Sequence, residues 1–196
     1  MNTKSLSFPV FADVFPASRG LVRDIALIIL GSIIVALSAR LEIPFVPVSV
    51  TGQTFGVLLV GILLGKERGA ASLIMYIAEG CLGLPVFAGG AAGFAHLMGP
   101  TGGYLIGMVA AAWITGAFAE MGWDRRCTTT AAAMLFGNIA IYVFGLPWLA
   151  KFTGWKCVMS AGLIPFIPGD LVKLIIAALI IPRGWNLLSK LNQQKI

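Results

Sequence analysis

Charge is scarce in this chain of 196 residues: Asp, Glu, Lys and Arg together make up 11%, against about 25% in a soluble globular domain. Histidine occurs once, as His96, and cysteine three times, as Cys81, Cys127 and Cys157, with no C-x-x-C pair and no Cys/His cluster. That spacing leaves no zinc site, and the cysteines read as small apolar side chains. No G-x-S-x-G or H-E-x-x-H motif occurs, so an intramembrane hydrolase lacks its nucleophile and its metal ligands. Glu79 and His96 could form an acid/base pair, but nothing accompanies them. There is no ring of charges to line a pore, and no internal repeat of the kind that builds inverted-repeat transporters. Apolar residues, by contrast, make up 58% of the chain, and mean hydropathy is +0.92. A single soluble core of this length cannot hide so much apolar surface, so the chain is read as an integral membrane protein. The formal net charge of +6 then needs an explanation other than nucleic acid.

A membrane-spanning helix takes about 20 mostly apolar residues. Charges and Gly/Pro clusters separate six candidates, at about 22–41, 53–65, 69–84, 102–121, 128–149 and 165–182, within a single membrane domain over residues 1–196. Several are short, which predicts tilt or local thinning of the bilayer. With six spans both termini share a side. That side collects Lys4, Arg19, Arg23, Lys66, Arg68, Arg125, Arg126, Arg183, Lys190 and Lys195; the other side has only Arg40, Lys151 and Lys156. The positive-inside rule places both termini in the cytoplasm, and the basic excess becomes a topology signal. The outer connections are long and rich in Gly and Pro, and predict a lid over an outward-facing pocket. The fold expected is an all-α six-helix membrane bundle. Near the N-terminus an apolar patch is interrupted by Pro9, Asp13 and Pro16; it does not read as a signal peptide, and is expected at the membrane surface.

Ionisable groups within spans are costly and mark functional positions. Asp170 and Lys173 are three apart and share a helix face; they either bind a ligand or form an internal ion pair. Glu79 is the second such group, with a ligand contact and a ligand-free carboxylate equally open. Asn138 and Tyr142, four apart, face the same cavity or bond between helices. Gly52/Gly56, Gly61/Gly65 and Gly103/Gly107/Ala111 form small-xxx-small series for close helix approach. The string from Gly61 to Glu67 is one residue short of a phosphate-binding loop and has Glu where a hydroxyl must reach Mg²⁺. Any ATP-driven work therefore needs partner subunits.

Four motifs then matter together: Pro47-Val48-Ser49-Val50-Thr51-Gly52-Gln53-Thr54-Phe55-Gly56, Gly83-Leu84-Pro85-Val86-Phe87-Ala88-Gly89-Gly90, Gly99-Pro100-Thr101-Gly102-Gly103-Tyr104-Leu105, and Pro168-Gly169-Asp170 with Lys173. In order and spacing they resemble the BioY family over about residues 22–183. Its members are the biotin-binding S components of energy-coupling factor (ECF) vitamin importers. The resemblance implies a six-helix bundle with cytoplasmic termini in a prokaryotic plasma membrane, with biotin as transported ligand and no cofactor. It also implies a transmembrane coupling subunit and two ABC-type ATPases as partners, although the family also admits members working without the ATPase module. By the same resemblance Asp170 accepts from the ureido N–H groups of biotin, and Lys173 complements the anionic ligand or holds Asp170. Glu79 adds a head-group contact where relatives often carry Asn. Thr51 and Gln53 reach inward from a covering loop, and Phe87 and Tyr142 supply apolar walls. An arginine expected between the third and fourth helices is not evident; that loop has only His96. Docking to the coupling subunit would use Ser32-x-x-x-Ala36, with Gly31 adjacent. The alternatives are an S component for another vitamin and a proton-coupled secondary biotin transporter.

Overall fold

A computed structural model describes residues 8–14 and 20–193. In chain order the elements are α1 (Phe11–Val14), α2 (Leu21–Ala39), β1 (Glu42–Ile43), β2 (Val50–Thr51), α3 (Gln53–Leu64) and α4 (Lys66–Cys81). They continue with α5 (Phe94–Met98), α6 (Gly102–Glu120), α7 (Cys127–Thr153), α8 (Val158–Gly162) and α9 (Ile167–Gln193). Segments 21–39, 102–120, 127–153 and 158–189 include helices long and apolar enough to cross a membrane. The chain is a multi-pass helical membrane protein. In α3, with 12 residues, the buried set includes Gly56, Val57, Leu58, Val60, Gly61 and Ile62; it is surrounded by protein more than by lipid.

Helix ends differ from the apolar runs in four places. Lys66-Glu67-Arg68 is no linker but the first turn of α4; Gly65 alone, at φ 87°, breaks the chain between α3 and α4. The left-handed backbone there suits glycine, and the new helix start is capped from outside when the Lys66 N–H donates to Glu120 Oε1 at 3.0 Å. At the other end α4 stops at Cys81 rather than Leu84. Helices α7 and α9 run on to Thr153 and Gln193, through Pro147 and Pro182 respectively. Charges and a proline end an apolar stretch, yet a proline removes only one donor, and neighbouring helices hold the continuation in place.

Small residues set the interhelical distances. A Cβ on Gly61 would stand 2.2 Å from Thr115 Oγ1 and 2.5 Å from the Ala112 carbonyl, and one on Gly69 would stand 2.9 Å from the Gly61 Cα. Helices α3, α4 and α6 therefore meet backbone to backbone. Gly107 lies as tightly on α7, where a Cβ would meet the Ile141 carbonyl at 2.8 Å. Without a hydrophobic drive between helices in lipid, such approach supplies the van der Waals contact that holds a bundle.

One end of the bundle is tied by the N-terminal segment. Residues 8–14 pack on protein: Val10 is 2% exposed, the Phe8 N–H donates to the Glu120 carbonyl at 2.7 Å, and Asp13 accepts from Arg68 at 2.8 Å. Phe11 lies 4.4 Å from the Trp185 ring. The expected surface segment is thus, over these residues, a strap across α2, α4, α6 and α9. Beneath it the Trp185 indole N–H donates to Asp124, and the Arg125 guanidinium sits 3.3 Å over the same indole. Burial pushes the Asp124 carboxyl above its ordinary 3.8, against the opposing pull of Trp185 and Arg125. A raised acid leaves the folded state binding more protons than the unfolded one. Stability is therefore lost as pH climbs from about 3.8 through the raised value, and is level beyond it. Asp124→Asn is expected to flatten that fall in thermal melts of detergent-solubilised protein between about pH 4 and about pH 7.

Candidate functional site

At the opposite end the irregular connections enclose a cavity of about 150 Å³. Its walls come from the β1–β2 connection (Pro47, Val48), the start of α3 (Gln53, Thr54), the α4–α6 connection (Phe87, His96), and Tyr104, Tyr142 and Phe166. β1 and β2 pair antiparallel, Glu42 opposite Thr51, which turns Val48 and Thr51 inward. The aromatic walls support each other. Phe87 stacks on His96 at 4.9 Å and meets Tyr76 edge-on at 5.6 Å, while Tyr104 lies 6.3 Å from Tyr142 and 6.4 Å from Phe166. The Tyr104 hydroxyl fixes α8 by donating to the Gly162 carbonyl at 2.8 Å.

Behind this wall lies a charged network. Asp170, 8% exposed, sits in the first turn of α9, where a carboxylate is favoured by the helix dipole. Its Oδ2 accepts from the Tyr142 hydroxyl, and its Oδ1 from Thr54 and from Lys173, each at 3.3 Å. The Lys173 ammonium also donates at 2.7 Å to the Thr51 carbonyl and at 2.7 Å to Thr54 Oγ1. Lys173 is thus saturated by three oxygens and fastens the lid strand β2 to α9. A second relay starts at Gln53, whose amide donates to Tyr76 Oη at 3.0 Å, which in turn donates to the Val86 carbonyl at 3.0 Å. It joins the two covering connections from below.

Of the residues singled out in the sequence, Thr51, Gln53, Phe87 and Tyr142 line the cavity, and Asp170 and Lys173 stand one layer behind it. Glu79 is not in the cavity wall; it accepts from Ser32 across the α2–α4 contact. Asn138, 7% exposed, is not in the wall either, and its Oδ1 has no partner among the described residues. Gly31 and Ser32 are buried, Gly31 so close to α4 that a Cβ would touch Ser72, while Ala36 is half-buried. The freely exposed face of α2 carries Ile25, Ile29, Ile33 and Leu37 instead. Thr54 and Tyr76 escaped the sequence reading. Thr54 follows Thr51 by three residues, a spacing that brings the Thr51 carbonyl and the Thr54 hydroxyl to one cation, whereas nothing local distinguishes Tyr76.

The BioY family model matches residues 3–190. A probable biotin transporter BioY of Pyrococcus horikoshii is 37% identical over 161 residues, covering 82% of this chain and 95% of the relative. Biotin transporter BioY proteins of Rhizobium etli and Rhodobacter capsulatus are 36% and 38% identical, each comparison covering 81% of this chain and 90% of the relative. Among solved structures, the S-component for biotin from an ECF-type ABC transporter superposes with a TM-score of 0.70 at 27% identity, covering 84% of this chain and 92% of that one. Four motifs in order, a polar network on α9 behind a capped cavity, and relatives matched over nearly their whole length place this chain in the BioY family of transporters.

Proposed function

We propose that this chain is the biotin-capturing S component of an ECF-type importer, a six-span protein of the prokaryotic plasma membrane with both termini in the cytoplasm. The observation that carries the reading is the Asp170–Lys173–Thr54–Tyr142 network set against an aromatic-walled cavity. A bicyclic urea presents paired N–H donors and one carbonyl; hydroxyls at the end of an apolar slot, backed by a carboxylate, match that pattern. Tyr142, its hydroxyl donating to Asp170 behind it, accepts from the ureido group, Thr51 and Gln53 close over it, and Phe87 and Tyr104 flank the thiophane ring. Partners are a transmembrane coupling subunit and two ABC-type ATPases, since no nucleotide motif is present in the chain. The basic bias of the short connections supports the orientation. The chain carries no reaction of its own and needs no cofactor.

The acid end of the ligand calls for a cation. His96 is half-buried, stacked on Phe87 and within 3.2 Å of Thr101, and burial lowers its pKa below the ordinary 6.5, so it is neutral at pH 7. Lys173 is already committed. Arg40, exposed beside the mouth and donating to the Pro85 carbonyl, is the cation assigned to the carboxylate. Arg40→Gln should weaken biotin binding about 10-fold, or ~1.4 kcal/mol, and leave the affinity for biotin methyl ester unchanged. Equal losses for acid and ester would remove Arg40 from that role.

Calorimetry of the purified, ligand-stripped chain in detergent tests the whole reading. About one biotin per chain is expected, with desthiobiotin weaker and thiamine inert. A folded preparation that takes up thiamine and not biotin would move the chain to another vitamin.

A further inference from the structure

The connection between α2 and α3 has two faces. Its second part, Pro47 to Thr51, turns inward onto the cavity. Its first part turns outward and is almost entirely apolar: Leu41 is 72% exposed, Ile43 70%, Phe45 42% and Val46 87%. No ionisable residue occurs from Ile43 to Gly65. In water such a cluster would be an association hazard, and no described segment of the chain covers it.

Its position says what does. α2 has 19 residues, a length of about 28 Å, close to the roughly 30 Å hydrocarbon thickness. Ala39 therefore reaches the cavity-side boundary of the bilayer, and the residues just after it lie at headgroup level. The exposed lipid-facing row of α2, Ile29, Ile33 and Leu37, continues without interruption into Leu41. Arg40 and Glu42 interrupt this surface in sequence only; they turn to the α4–α6 connection, Arg40 onto Pro85 and Glu42 beside Gly89.

We infer that the outer edge of this lid, Leu41 to Val46, is seated in the interfacial region of the cavity-side leaflet, so that the lid over the cavity is held by lipid on one edge and by Lys173 on the other. The occupant of the exposed patch is phospholipid, as the continuation of the α2 lipid face requires, and the inference stands independently of which ligand the cavity takes.

Spin labels test it in nanodiscs of palmitoyl-oleoyl phosphatidylcholine and phosphatidylglycerol. The background is the full chain with Cys81→Ser, Cys127→Ser and Cys157→Ser. Labels are placed singly at Val46→Cys and Ile43→Cys, with Leu37→Cys as the lipid-facing reference and Glu67→Cys as the aqueous one. Collision rates are measured with oxygen, which partitions into lipid, and with a neutral nickel chelate, which stays in water. The oxygen-to-nickel ratio at Val46 and Ile43 should lie several-fold above that at Glu67 and approach that at Leu37. A ratio matching Glu67 would overturn the inference. So would a collapse of both collision rates, which would mean that protein, such as a second copy, covers the patch. Both positions are exposed, so one folded variant suffices for the decision.

Discussion

Asp170→Asn is expected to raise the dissociation constant for biotin about 100-fold or more while leaving helical content and detergent elution unchanged. Asn keeps the size of Asp and can still accept from one hydroxyl, but it removes the charge that Lys173 faces at 3.3 Å. The Lys173 side chain is 18% exposed and that of Asp170 11%, so little water can replace the lost partner. Removing one member of a buried pair costs about 3–5 kcal/mol where the other charge is left behind. Here part of that cost falls on the lid, because the same ammonium holds the Thr51 carbonyl. A 100-fold loss corresponds to ~2.7 kcal/mol of binding energy. The double variant Asp170→Asn with Lys173→Met separates the two contributions. With both charges gone, thermal stability should recover relative to Asp170→Asn, but affinity should not, since the carboxylate that orients the Tyr142 hydroxyl toward the ligand is still missing. Unchanged biotin affinity in Asp170→Asn would take Asp170 out of the site.

The second large effect concerns the bundle itself. Gly61→Leu should abolish accumulation of folded chain, read as loss of the monodisperse peak of a fluorescent fusion in detergent, whereas Gly20→Ala should leave that peak intact. At Gly61 the first added carbon would already collide with Thr115 and with the α6 backbone at Ala112, and Gly69 of α4 closes the remaining side. Overpacking a core costs about 1–3 kcal/mol when side chains can move; a helix backbone cannot yield in the same way, so three helices would have to part. Gly20 has nothing within 4 Å of its added carbon. A folded, biotin-binding Gly61→Leu variant would mean that α3 is free to shift against α6.

These two sites differ in how far the sequence discloses them. Gly61 and the Gly103/Gly107/Ala111 series were readable because small side chains four apart let helices approach closely, whereas Gly65, read in the same way, is the break between α3 and α4. Asp170 and Lys173 were readable because buried charge in an apolar run is expensive. Their arrangement was not: that Lys173 spends its donors on Thr51 and Thr54 depends on contacts across more than 100 positions of chain, and that Asp170 stands behind Tyr142 depends on a contact across 28. Glu79 shows the limit from the other side. Its cost in lipid is met by a serine on α2, a partner that spacing along α4 cannot reveal. The continuation of α9 beyond Pro182 escaped for a related reason, because hydropathy reports where lipid ends and not where backbone hydrogen bonding ends.

The strap of residues 8–14 has a consequence for biogenesis. It leaves the ribosome before the helices it ties, and Arg125, which donates to the Pro9 carbonyl, follows 116 residues later, roughly 6–23 s at about 5–20 residues per second. Trp185, the seat of Phe11, comes later still. The strap cannot fasten completely until α9 has been inserted, so the seating of Phe11 is a late event that follows its contacts to α2, α4 and α6. A nascent chain lacking α9 would carry Phe11 unseated and would be distinguishable, to a protease or a chaperone, from one in which α9 is in place.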